Sequence, residues 1–325
     1  MDERLSEKLE VSRPDLFAQF PDSSPYHHPP TLMYNAADAG QYANPLGIRP
    51  EDIKQTPHDR IVHLLEQASQ SVDSASALSP SEHLVNAKAL IEKAKAIVDG
   101  YDSYVTEYSS PAPPIVERMW KDGHEHDWAK VYLEGKTKLR LIPDMSAGSY
   151  EGVVLQHLAK MSNARAVLEI GMFTGTTTVS LALVPSVDKV TALDIEIYLL
   201  EHNLPNFKEA GVASKIDVRI GNALETLDKL DEEGASFDMV FIDADKPSYI
   251  KYLDRILASP TLLAKRGFIA ADNVVYKASP WVPDPVYKWR EDLHAFNQHV
   301  RNRSDVEAVM LPIEDGITLI RRKGE

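Results

Sequence analysis

DVEAVMLPIEDGITLIRR, residues 305–322, decides the fold of this chain. Two apolar-rich segments flank Glu314-Asp315-Gly316, an acidic turn with glycine, and the pattern predicts an antiparallel β-hairpin. Upstream, RAVLEI, KVTALD, KIDVRI, FDMVFID and RGFIAAD are short, nearly continuous apolar runs. The stretches between them mix polar with apolar residues and are long enough for helices. Such alternation predicts an α/β, doubly wound, mostly parallel sheet covered on both faces. The expected order is five parallel strands followed by a C-terminal antiparallel hairpin. A dinucleotide-binding Rossmann domain would instead continue with a sixth parallel strand.

The first strand runs into Glu169-Ile170-Gly171-Met172-Phe173-Thr174-Gly175. Gly171 and Gly175 allow a sharp turn and a close approach of ligand to backbone. A dinucleotide site would read G-x-G-x-x-G, with a pyrophosphate on the helix N-terminus. Here the spacing is G-x-x-x-G behind an acidic residue. That suits a ligand without phosphates whose amino-acid end is cationic, as in S-adenosylmethionine. Asp194 closes the next strand, where a carboxylate can accept both hydroxyls of a ribose. A helix N-cap is the common alternative for an aspartate there, but Gly171 and Asp194 together at adjacent strand ends favour a ligand. Glu169, Gly171 and Asp194 alone do not separate S-adenosylmethionine from NAD; the hairpin and the next motif do.

The fourth strand ends in Phe241-Ile242-Asp243-Ala244-Asp245-Lys246 and the fifth in Asp272-Asn273. Ligands of open α/β sheets bind at the carboxyl ends of the strands. Asp243, Asp272 and Asn273 are therefore expected to converge as three oxygen ligands for a hard divalent cation, Mg²⁺ first. A bound cation would lower the pKa of a coordinated acceptor hydroxyl. Lys246, partly desolvated beside it, is the candidate base for that proton. A helix-capping acidic cluster with Lys246 as counter-ion explains Asp245. It does not explain D-x-D-K and D-N at neighbouring strand ends.

MSAGSYEG (145–152), LEIGMFTG (168–175), TALD (191–194), FIDADK (241–246) and ADN (271–273) together resemble the cation-dependent O-methyltransferases of the catechol and caffeoyl-coenzyme A type. The resemblance implies the class I methyltransferase (Rossmann-like) fold. It implies that Ala147, Glu169, Gly171, Met172, Phe173, Thr177, Asp194 and Ala223 line S-adenosylmethionine. By the same likeness Asp243, Asp272 and Asn273 hold the metal, with Asp243 and Lys246 catalytic. Over residues 60–322 the chain also looks like the mycosporine-pathway O-methyltransferase that forms 4-deoxygadusol, and like its fungal relatives. Family members often carry an aromatic after the second glycine, where this chain has Thr176.

The remainder of the chain sets the context. Residues 1–55 read as an irregular arm rich in Pro, Gly, Asn and Tyr, in which His27-His28 is a surface pair. Residues 56–144 read as a helical accessory region and 145–325 as the cofactor-binding domain. Within the accessory region, Thr56-Pro57 and a capping box at Ser79-Pro80-Ser81-Glu82 start helices, and Gly100 is expected to stop the second. A further helix is expected through Trp120 or Trp128 to about Leu141. The segment after Asn273 is expected to fold over the acceptor, with Tyr276, Lys277 and Trp281 in reach.

The chain has 325 residues, a formal charge of -14 and no cysteine. The acidic balance argues against nucleic acid, and the missing cysteines exclude disulfides and thiolate metal sites. No apolar run approaches the ~20 residues of a membrane span. The expectation is a cytoplasmic homodimer that methylates a hydroxyl or enol of a small molecule in secondary metabolism. A carboxylate acceptor, giving a methyl ester, is the alternative reading. A non-catalytic binding protein and an NAD oxidoreductase are the rivals from other classes.

Overall fold

The computed structural model describes residues 82–282 and 288–324, with a few positions between 62 and 70. The arm, His27-His28, the Thr56-Pro57 cap and Ser79 to Ser81 lie outside the described residues. The strands are β1 (Ala166–Ile170), β2 (Lys189–Asp194), β3 (Ile216–Ile220), β4 (Phe237–Ile242), β5 (Leu263–Ala271), β6 (Val306–Leu311) and β7 (Ile317–Arg322). They form one sheet in the order β3-β2-β1-β4-β5-β7-β6. β1 to β5 pair in parallel, and β7 lies antiparallel between β5 and β6. This is the doubly wound sheet with its C-terminal hairpin that the apolar runs predict.

Alternating side chains divide the core between the two faces of the sheet, as a period of two requires. Val167, with Val190 and Met239 in register beside it, packs on one face. Leu168, with Val240 and Ile269 beside it, packs on the other. Each such side chain, wholly withdrawn from water, contributes about 1.5–3 kcal/mol. The helices are α1 (Glu82–Glu107), α2 (Pro114–Glu125), α3 (Trp128–Leu133), α4 (Ser149–Met161), α5 (Thr176–Ala182), α6 (Ile197–Glu209), α7 (Ala223–Glu232), α8 (Tyr249–Ala258) and α9 (Arg290–Asn302). None of the described helices is long and apolar enough to cross a membrane.

Two helix boundaries differ from the sequence expectation. α1 continues through Gly100 for another seven residues, to Glu107. Beyond the glycine, Tyr101 and Val105 face Tyr150 and the turn before β7. The ~1 kcal/mol that glycine costs inside a helix is a local penalty that does not by itself end one. The single helix expected through Trp120 or Trp128 to Leu141 is instead two, α2 and α3. The Asp127 carboxylate accepts from the Lys130 amide and starts the second, and Gly135, at φ 71°, follows its end.

The strand order reverses between β1 and β4, the place where open α/β sheets bind ligands. Backbone bonds tie the strand ends together there. The Gly171 and Met172 amides donate to the Leu193 carbonyl, Asp243 to Ile170, and Asp272 to Ile242. Gly171 has φ 101°, and a Cβ on it would lie 1.9 Å from the Asp243 carbonyl oxygen. Gly171→Ala is therefore expected to lower unfolding free energy by at least ~2 kcal/mol in urea titration. A variant as stable as the parent would show that the turn relaxes easily.

Candidate active site

The turn after β1 is built around buried polar groups. Glu169 is fully buried; its Oε2 accepts from the Thr178 hydroxyl, and its Oε1 has no partner. Burial pushes its carboxyl up to about 8. Asp194 Oδ2 accepts from the Phe173 amide at 2.9 Å and Oδ1 from the Glu196 amide at 2.9 Å. Burial raises this carboxyl too, against those amides. Asp194 thus fastens the glycine turn to the end of β2. The Asn203 amide donates to the Phe173 carbonyl at 2.6 Å.

The other residues expected to line the cofactor fall on several elements. Met172 and Thr177 are buried, Ala147 precedes α4, and Ala223 opens α7 behind its Asn222 cap. Thr176, in place of the expected aromatic, bonds the Thr174 hydroxyl at 2.8 Å. The ring of Trp128, which the sequence reading left without a role, lies 4.9 Å from that of Phe173. The helical region therefore braces the glycine turn directly.

A second group of polar residues gathers at the ends of β4 and β5. Lys246 Nζ donates to Asp243 Oδ1 at 3.0 Å, Asn273 Oδ1 at 2.5 Å and the Tyr249 hydroxyl at 2.8 Å. Asn273 adopts φ 58°, uncommon outside glycine. Asp272 is buried, its Oδ1 has no partner, and burial beside Asp243 holds its carboxyl well above the usual range. Among the described residues no group of three or more His, Cys, Asp or Glu gathers to hold a metal. The set here is two carboxylates and an amide, all hard oxygens. An ammonium already lies between two of them, and an orphaned carboxylate oxygen accompanies them, so the donors fit a divalent cation. Asp245 serves a different partner: it accepts from the Tyr252 hydroxyl at 2.5 Å and makes no side-chain cap.

Two further residues join this group without having been foreseen. Tyr249 is fully buried, and its hydroxyl also donates to the Ile242 carbonyl. Its place three residues after Lys246 was the available signal. Glu151, inside the MSAGSYEG motif, is buried with an unpartnered Oε1. Burial, then the charges of Asp272 and Asp243, raise its carboxyl well above the usual range. Lys277, expected to reach the acceptor, is instead buried against Asp315, Nζ to Oδ2 at 3.0 Å. Tyr276 opens a short 3-10 turn over the same segment, and Trp281 is half exposed.

Comparison with known proteins gives a consistent picture. A family model described as O-methyltransferase matches residues 119–323. Caffeoyl-CoA O-methyltransferase 1 of Eucalyptus globulus is 39% identical over 187 residues, which are 55% of this chain and 75% of that protein. Tricin synthase 2 of Oryza sativa subsp. japonica is 37% identical over 188 residues, 55% of this chain and 63% of that one. The O-methyltransferase TomG of Streptomyces achromogenes, solved with SAM, superposes with a TM-score of 0.56 at 28% identity, covering 69% of this chain and 96% of TomG. The SAH-bound methyltransferase PaMTH1 of Podospora anserina gives a TM-score of 0.60 at 22% identity, covering 70% of this chain and 96% of its own, and shows the shared fold.

Proposed function

This chain belongs to the O-methyltransferase family, and from that premise we propose that it transfers the methyl group of S-adenosylmethionine to a hydroxyl or enol oxygen of a small molecule, assisted by a divalent cation. The observation that carries the reading is the meeting of Lys246 with Asp243 and Asn273 beside buried Asp272, one strand end away from the Gly171 turn.

In this reading Glu169, Gly171, Met172, Phe173, Thr177, Asp194, Ala147 and Ala223 hold the methyl donor. S-adenosylmethionine supplies the electrophilic methyl, and Mg²⁺ on Asp243, Asp272 and Asn273 supplies Lewis acidity that makes the acceptor hydroxyl more acidic. The chain's own contribution is placement and proton transfer. The Gly171 turn and the Asp243 strand end hold donor and acceptor close enough for in-line transfer. Lys246, as the neutral amine, takes the acceptor's proton on Nζ, and Tyr249 and Asn273 hold the resulting ammonium in place.

Titration calorimetry tests the donor site. S-adenosylhomocysteine is expected to bind with micromolar-range affinity and NAD not to bind. Glu169, raised to about 8, is neutral at pH 7, and a cationic amine bound beside it favours its ionised form. Binding at pH 7 should then release protons, seen as a heat that varies with buffer ionisation enthalpy. Affinity should climb as pH rises toward 8 and level off above. Glu169→Gln should remove that slope. NAD binding without S-adenosylhomocysteine binding would overturn the proposed function.

A further inference from the structure

Asn273 opens a short segment of strained backbone. Asn273, Lys277 and Ala278 have φ 58°, 50° and 59°, three left-handed residues among six consecutive ones. Asparagine visits that conformation more readily than lysine or alanine. It persists at such residues only where the surroundings over-determine it. Here the surroundings are the turn before β7 and the helix α9. The Val274 amide donates to the Gly316 carbonyl at 3.1 Å, and the Val275 amide to the Asp315 carbonyl at 2.8 Å. The Asn297 side-chain amide, on α9, donates to the Val274 carbonyl at 2.7 Å. The Tyr276 amide closes back on the Asn273 carbonyl at 3.0 Å.

A buried ion pair adds to these ties. Asp315 Oδ2 accepts from Lys277 Nζ at 3.0 Å, and Asp315 Oδ1 accepts from the Lys277 backbone amide at 3.2 Å. Both side chains are buried. An ion pair so placed is often no more stabilising than two apolar side chains of similar volume. What it adds is direction. One carboxylate grips both the ammonium and the backbone amide of a single residue, and that residue lies one short turn beyond Asn273. The segment from Asn273 to Ala278 cannot shift against β7 without breaking one of those bonds.

We propose that Asp315 and Lys277 are positioning residues for the cation site: their pair fixes the turn that presents the Asn273 amide oxygen to the cation and to Lys246. The inference rests on the cation-assisted reading above. The pair acts through Asn273, whose Oδ1 lies 2.5 Å from Lys246 Nζ. Loosening it lets one of the three cation donors drift. The methyl-donor site is insulated from that change, because the Gly171 turn is fastened to Leu193 and Asp194 instead.

Mn²⁺ takes the same hard oxygen donors as Mg²⁺. It is titrated into the full chain loaded with S-adenosylhomocysteine, and free Mn²⁺ is read from its electron paramagnetic resonance signal. Asp315→Asn keeps the shape of the side chain and removes the charge that faces Lys277. It is expected to weaken Mn²⁺ binding by ~10–100-fold, the usual cost of losing a group that orients a metal donor. S-adenosylhomocysteine affinity should stay unchanged. A second variant separates positioning from stability. Lys277→Met combined with Asp315→Leu replaces the pair by apolar side chains and should melt near the parent's temperature. It should still bind Mn²⁺ weakly, because the directed tie is missing. The proposal is overturned if either variant binds Mn²⁺ as tightly as the parent, or if S-adenosylhomocysteine affinity falls as far as Mn²⁺ affinity. Should Asp315→Asn fail to fold, the double variant decides alone; a double variant that melts far below the parent would show a merely structural pair and overturn the proposal too. A parent that loads S-adenosylhomocysteine but binds no Mn²⁺ strikes the cation reading, and this inference with it. A parent that does not load S-adenosylhomocysteine strikes the methyltransferase reading instead.

Discussion

Lys246→Ala is expected to lower kcat by ~10²–10⁴ with a hydroxyl or enol acceptor, with KM changing far less. The amine is the basic group held against Asp243, Asn273 and Tyr249, with a side chain only 10% exposed. A hydroxyl or enol must lose its proton before or during methyl transfer, and the loss of rate should shrink as pH rises and hydroxide substitutes. Two variants separate a base from a counter-ion. Lys246→Arg keeps a positive charge but does not give up its proton. If Lys246 is the base, the arginine variant is as slow as the alanine one; if it is a counter-ion, arginine restores most of the rate. A carboxylate acceptor, already ionised, would show chiefly a raised KM and a flat pH profile. An enol acceptor with unchanged kcat in Lys246→Ala would leave proton removal to another group.

Asp272→Asn is expected to abolish stimulation by Mg²⁺ while leaving fold and S-adenosylhomocysteine binding intact. Asp272 is buried beside Asp243 with an orphaned oxygen, so its charge is favourable chiefly when a cation shares the site. A cation that binds only the folded parent stabilises it by ~2.7 kcal/mol at a hundred times its Kd. Thermal melts should therefore show the parent gaining stability on Mg²⁺ addition and losing it on chelation. The asparagine variant should melt at one temperature in both. A variant with the parent's full Mg²⁺ response would remove Asp272 from the ligand set.

Much of this architecture was legible because it depends on short-range pattern. β1 and β4 are buried on both faces, so their apolar runs are nearly continuous, and the hairpin before Ile317 announces itself through Glu314-Asp315-Gly316. The Gly171 turn was legible for the same reason: the glycine is required locally, by φ 101° and by the closeness of Asp243. Partnerships across long sequence separations were not legible. Nothing near Lys277 shows that Asp315, thirty-eight residues later, takes its ammonium. Gly100 read as a stop because its propensity is local, and a penalty of ~1 kcal/mol does not by itself end a helix. Glu151 gained meaning only once α4 placed it in the field of Asp272 and Asp243. Tyr249 gained it when the following turn brought its hydroxyl to Lys246.

The most direct test of cation-assisted O-methyl transfer is one turnover measurement. The protein is incubated with S-adenosylmethionine carrying a deuterated methyl group and a panel of enols, catechols and carboxylates, with Mg²⁺ or with EDTA, and products are weighed by mass spectrometry. The expected result is a labelled methyl on a hydroxyl or enol oxygen, formed with Mg²⁺ and lost with EDTA. Labelled product formed at an undiminished rate in EDTA, or label found on carboxylates alone, would contradict it.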